Sequence, residues 1–155
     1  MKEQDAETLD SIDASVVETH SLDMLEDLPQ ALFLVDPTGT VTWMNDACVD
    51  TSNRSRAEAV GKMKCYDLYD VDADETPIQY ALRTGKKVRD EQYTITGDDG
   101  ERTVIEASVT LVHGDDGDVV GAFEMVRDVT KQVQLEEQIA EREAYYSSIF
   151  ESINE

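Results

Sequence analysis

Residues 119–153 read VVGAFEMVRDVTKQVQLEEQIAEREAYYSSIFESI, and the change of period inside this stretch decides the fold. Its first part alternates in steps of two, with Phe123 and Met125 on one side and Val120, Ala122 and Val126 on the other. Both sides ask for burial, so this strand belongs inside a sheet. Through Arg127, Asp128, Val129 and Thr130 the period becomes helical, and Leu135, Ile139, Tyr146, Ile149 and Ile153 follow at spacings of 4, 7, 3 and 4. A rod thus leaves the domain from a buried strand, and whatever shifts the strand shifts the rod. That is the geometry of a sensor with an output lever.

Upstream lie two further strands. Residues 89–96 put Tyr93 and Ile95 on one face; residues 103–112 put Ile105, Ala107, Val109 and Leu111 on one face and Glu106, Ser108 and Thr110 on the other. Gly-Asp-Asp-Gly at 97–100 and again at 114–117 supplies the hairpin turns, since Asp-Gly tolerates positive φ. Before them, Thr76 and Pro77 start a helix that Gly85 closes, and Ser55 with Glu58 forms a capping box for a short helix ending at Gly61. Asn45 caps a helix that begins at Asp46. The hairpin ALFLVDPTGTVTWMN (31–45) turns at Asp36-Pro-Thr-Gly39 and places Val41 and Trp43 on one face. Residues 1–28 form an acidic amphipathic lead-in, with Leu9, Ile12 and Val16 and then Leu22, Leu25 and Leu28 as its stripes, and a frayed first dozen residues. The order is α+β: a five-stranded antiparallel sheet with short helices on one face and a long C-terminal helix.

Composition narrows the function. The net charge of −22, from 35 acids against 13 bases, leaves no basic stripe for nucleic acid. Only six residues are Lys, a balance that resembles proteins of salt-loving organisms, where salt screens the self-repulsion. The longest apolar run is Ala31–Val35, and nothing N-terminal reads as a signal peptide. The expectation is a cytoplasmic fragment that makes no membrane contact, whose parent chain could still be anchored. Cys48 and Cys65 fall in separate elements without a CxxC pattern, and read as small buried side chains.

With this order assembled, residues 28–130 resemble a PAS domain. The resemblance is carried by the opening hairpin, AVGKMKCYDLY (59–69), the helix ending ALRTGKKV (81–88) and Asp128-Val129-Thr130. It implies three parts: a lead-in over 1–28, the domain over 29–130, and a signalling helix over 131–155. It also implies a non-enzymatic sensory module that passes a ligand- or redox-dependent change from its core through Asp128, Val129 and Thr130, the hinge between the last strand and the output helix. From the residues alone, Thr130 is equally an N-cap for that helix. The tail AYYSSIFESI is similar to the lead-in of a further PAS module, and reads as well as an amphipathic helix that pairs two copies through Leu135, Ile139, Tyr146, Ile149 and Ile153. The parent resembles a haloarchaeal chemoreceptor-like transducer or sensor histidine kinase, with neighbouring domains as partners. The other reading is a spacer and dimerisation module with a filled core.

The candidates for a pocket between sheet and helices are Phe33, Trp43, Met63, Tyr66 and Tyr69, then Ile78, Leu82, Tyr93, Ile105 and Val109, with Phe123 and Met125 from the last strand. Asn45, Cys48 and Cys65 add polar contacts. Most of these are also what a plain apolar core needs. A small-molecule ligand is therefore one of two readings, and its identity stays open. Flavin-binding PAS domains carry an Asn-Cys-Arg-Phe-Leu-Gln pattern that is missing here, and haem-binding ones a His in the helix before the third strand, where TPIQYALRTG has none. His20 and His113 with the two cysteines are too scattered for zinc. Asp70, Asp72 and Asp74 alternate as in a calcium loop but lack its Gly and closing Glu. The surroundings of His20 do not form a phosphoacceptor box, so kinase chemistry within this chain is not expected.

Overall fold

A computed structural model describes residues 22–154 apart from 70, 72 and 98. The stripe of Leu9, Ile12 and Val16, His20, and the loop acids Asp70 and Asp72 lie outside the described residues.

Ala31–Val35 (β1) and Val41–Met44 (β2) pair around the turn at Asp36–Gly39, where the Gly39 N–H donates to the Asp36 carbonyl at 2.9 Å. Asp36 reinforces it: its carboxylate accepts from the Thr38 hydroxyl at 2.6 Å and from the backbone N–H groups of Thr38 and Thr40, which hold its pKa down. Four short helices follow, Asp46–Ser52 (α1), Arg56–Ala59 (α2), Cys65–Leu68 (α3) and Pro77–Thr84 (α4). The caps expected for these helices are present. Asn45 accepts from the Cys48 N–H, Ser55 and Glu58 form a reciprocal box, and Thr76 forms a second one with Gln79. Val88–Thr96 (β3), Arg102–His113 (β4) and Val119–Asp128 (β5) then complete the sheet, and Thr130–Ile153 (α5) leaves it.

All strand pairs are antiparallel, in the order β2-β1-β5-β4-β3. β5 lies at the centre. Its inward residues follow from register: Ala122 stands between Val35 and Leu111, Glu124 between Phe33 and Val109, and Val126 between Ala31 and Ala107. These rows, with residues of α1 to α4, make the core.

The register corrects the sequence reading at three pocket candidates. Phe123 pairs with Leu34 and Thr110, and Met125 with Leu32 and Ser108, so both stand on the outer face, turned from the helices. β5 is apolar on both sides, so its own alternation cannot say which side is inward. Trp43 also stands outside, opposite Leu34, whereas Val41 faces inward opposite Val35. The extra residue Thr42 makes a bulge there, and the alternation that would have put Val41 and Trp43 together is broken.

Two features hold the sheet's centre. Gly121 lies so close to β1 that an added Cβ would sit 2.5 Å from the Val35 carbonyl oxygen. Asn45, fully buried, accepts from the Leu32 and Cys48 N–H groups at 3.0 and 2.9 Å and donates to the Gln30 and Leu25 carbonyls at 2.9 and 3.0 Å. It pins the lead-in, β1 and α1 together. Near it Arg56 pairs with Asp46 and Glu26.

No residue of α5 is buried; Ile139 is 58% and Ile149 37% exposed. Among the described residues no helix is long and apolar enough to cross a membrane.

Asn45→Ala should destabilise the fold by about 3 kcal/mol, because it strands buried backbone groups. The check is urea denaturation with an unchanged slope. Gly121→Ala should cost about 2 kcal/mol through the forced separation of β1 and β5.

Candidate functional site

The space between sheet and helices is nearly full. What remains is a cavity of about 10 Å³, roughly the room of one water, lined by Cys65, Tyr69, Val71, Thr76, Tyr93 and Ile105, with Pro77, Ala107, Glu124 and Val126 completing the wall. Of the pocket candidates, Cys65, Tyr69, Tyr93 and Ile105 are brought together there. Phe33, Cys48, Ile78 and Val109 are packed in the core around it, and Met63 and Leu82 lie partly buried against that core. Tyr66 is 47% exposed and borders an outer cleft instead. Asn45 is buried, but every polar atom it has is spent on backbone, which removes it as a ligand contact.

The thiols are chemically quiet. Burial pushes Cys48 and Cys65 up to about 11, so neither is a thiolate at neutral pH. Tyr69 bonds Thr51 through its hydroxyl at 2.7 Å and lies 3.6 Å from the Cys48 sulfur, and burial raises its pKa too. Among the described residues no group of three or more His, Cys, Asp or Glu side chains is placed to hold a metal ion. Of the cations near the end of α4, Arg83 is taken up by Glu75 at 2.7 and 3.0 Å.

Glu124 is the residue that sequence reasoning missed. It is 5% exposed, and its carboxyl has no hydrogen-bond partner among the described residues; burial alone raises its pKa to about 8. No fully occluded side-chain oxygen among the described residues lacks a partner, which fits a Glu124 carboxyl that opens onto the cavity. The signal was the parity of the strand: once Ala122 and Val126 are inward, Glu124 must be.

β5 delivers this interior to α5. After the last pair, Ile105 with Asp128, the Val129 N–H donates to the Val104 carbonyl at 2.9 Å, and the Val104 N–H donates to the Thr130 hydroxyl at 2.8 Å. Asp128 accepts from the Thr130 N–H and hydroxyl at 2.9 and 2.7 Å. Thr130 is therefore the first helical residue and not the cap; Val129 holds the cap position, because the Thr130 hydroxyl is engaged with β4 and Asp128. Val129 is buried and ties the junction to the core.

A family model described as PAS fold matches residues 25–134. Among solved structures, an RNA-binding light-oxygen-voltage receptor superposes with a TM-score of 0.70 at 20% identity, over 86% of this chain and 39% of that one. The chain thus spans about two fifths of that receptor. A PAS domain from Colwellia psychrerythraea matches with a TM-score of 0.58 at 17% identity, over 74% and 98% of the two chains. A PAS domain from a two-component sensor histidine kinase matches with 0.56 at 15%, over 75% and 99%. At these identities the likeness is one of fold.

The buried acid sets a pH dependence. The folded protein holds a proton on Glu124 up to about pH 8, whereas in the unfolded chain that proton leaves near the ordinary 4.5. The stabilising contribution is therefore complete below pH 4.5, falls as pH rises toward 8, and levels off above it. Unfolding free energy should drop by about 1 kcal/mol per pH unit between pH 6 and 8 in the parent protein. Glu124→Gln should flatten that slope, as read by urea titrations at each pH.

Proposed function

The chain belongs to the PAS fold family, and from that premise we propose that it is a sensory module which reports the state of its interior through Asp128, Val129 and Thr130 to α5. PAS domains are sensory signalling modules of kinases and receptors. The observation that carries the mechanism is the unbroken bonding of the junction: β4 holds Val129 and Thr130 by backbone and hydroxyl, and Asp128 clamps the first turn of the helix. A shift of β5 relative to β4 therefore rotates or tilts α5 as a unit. The module has no chemistry of its own in this reading; it regulates a neighbouring domain.

The exposed stripe of Leu135, Ile139, Tyr146, Ile149 and Ile153 supports self-association through α5 as a two-stranded coil. With a net charge of −22 and six lysines, we read the parent as a halophile's transducer, of the chemoreceptor-like or sensor histidine kinase kind, and nucleic acid as no partner. A second reading is favoured by the small size of the cavity. A domain whose interior keeps so small a cavity, about 10 Å³, can serve as a spacer that only dimerises and separates its neighbours. Native mass spectrometry and absorbance of protein purified in high salt separate the two, since a retained small molecule supports sensing.

Asp128→Ala removes two hydrogen bonds, each contributing about 1 kcal/mol, and should uncouple output in the parent chain while the domain stays folded. Undiminished output would overturn the hinge. Ile139→Asp combined with Ile149→Asp should weaken self-association at least tenfold by analytical ultracentrifugation, without changing the domain's thermal transition.

A further inference from the structure

Glu124 occupies the middle of the central strand with apolar residues beside it in both directions, Phe33 on β1 and Val109 on β4. The Cys65 thiol and the phenols of Tyr69 and Tyr93 share the cavity wall with it and the Cys48 thiol on α1 lies within reach of its charge, which would push all four further toward their neutral forms. No Lys or Arg lines the cavity. A carboxylate formed there has no counter-charge among the described residues, and a buried charge needs one.

Resting on the sensory reading above, we propose that the cavity beside Glu124 is the head-group subsite for a small organic cation, a primary alkylammonium. The cavity's room, about that of one water, is also about that of one ammonium group. Its walls suit the charge. Tyr69 and Tyr93 line it with aromatic rings, which attract cations, and the Thr76 hydroxyl, which accepts from the Gln79 N–H, has a second lone pair. An inorganic ion is poorly served, since the described residues offer no cluster of metal ligands.

A path for the alkyl tail follows from the same rings. Tyr93 separates the cavity from an open cleft bordered by Glu75, Tyr80, Lys87, Arg89 and Glu91, and its hydroxyl bonds only the exposed Glu91, at 2.9 Å. Tyr69 divides the cavity from a second cleft, beside Met63 and Tyr66. A turn of the half-buried Tyr93 ring would join inside to outside, whereas Tyr69 is held by its bond to Thr51. Binding forms an ion pair and no covalent bond: at neutral pH the carboxyl gives up its proton to solvent and takes the ammonium in its place.

The test titrates the full chain with butylammonium chloride against 1-butanol and against sodium chloride at matched ionic strength, from pH 6 to 9, reading thermal shift and calorimetry. Butylammonium should raise the melting temperature and butanol should not. Affinity should rise about tenfold per pH unit toward pH 8 and then level, with close to one proton released per ligand at pH 7. Glu124→Gln should lose the response, and Tyr93→Leu, which keeps the acid, should weaken it severalfold. An equal response in Glu124→Gln assigns binding to the acidic surface and overturns the proposal. An equal response to butanol overturns the cation while leaving ligand sensing standing. No response to either probe overturns the assignment, and sensing is then judged by Asp128→Ala alone.

Discussion

The placement of β5 between β1 and β4 is the constraint on which the molecule depends. The strand is hydrogen-bonded along both edges, and at Gly121 it approaches the Val35 carbonyl too closely for any side chain. Those two ladders leave no freedom of register, because a slip of one residue would turn Glu124 to the outside and drive Phe123 and Met125 into a space already filled by Phe33 and Ile105. Three things follow from that lock: which residues face the helices, where the acid lies, and where α5 starts.

An acid in this position is costly, and nothing in the fold's own stability asks for it. A Leu or Val at 124 would extend the rows of Phe33 and Val109 without a desolvated carboxyl. Elsewhere the protein satisfies its buried polar groups with care, as Asn45 shows by bonding four backbone groups from three segments. Among the described residues Glu124 departs from that rule, and such departures are where a function is to be sought.

Much of the architecture was legible because it rests on local chemistry. Ser55 with Glu58, Thr76 with Gln79, Asn45, and the glycines at 39, 85, 100 and 117 each announce a cap or turn through a side chain or a positive φ that few residues supply. What was not legible rests on pairing. The side taken by Trp43 depends on a bulge at Thr42, and the side taken by Phe123 and Met125 depends on two neighbouring strands; neither leaves a mark within its own segment. Thr130 shows a third limit. A good capping residue was recognised, but its hydroxyl is claimed by Val104 from another strand. The cavity itself, defined by side chains from six segments, has no linear trace at all.

The pairing of Ala31 with Val126 brings the beginning of β1 beside the end of β5. The polypeptide thus enters β1 and leaves β5 at the same end of the strands, in the middle of the sheet, with Gln30 and Arg127 as neighbours of that pair. Such a module can be spliced into a longer helical shaft without lengthening it, and copies can be strung in series, because each insertion returns the polypeptide to the place where it entered.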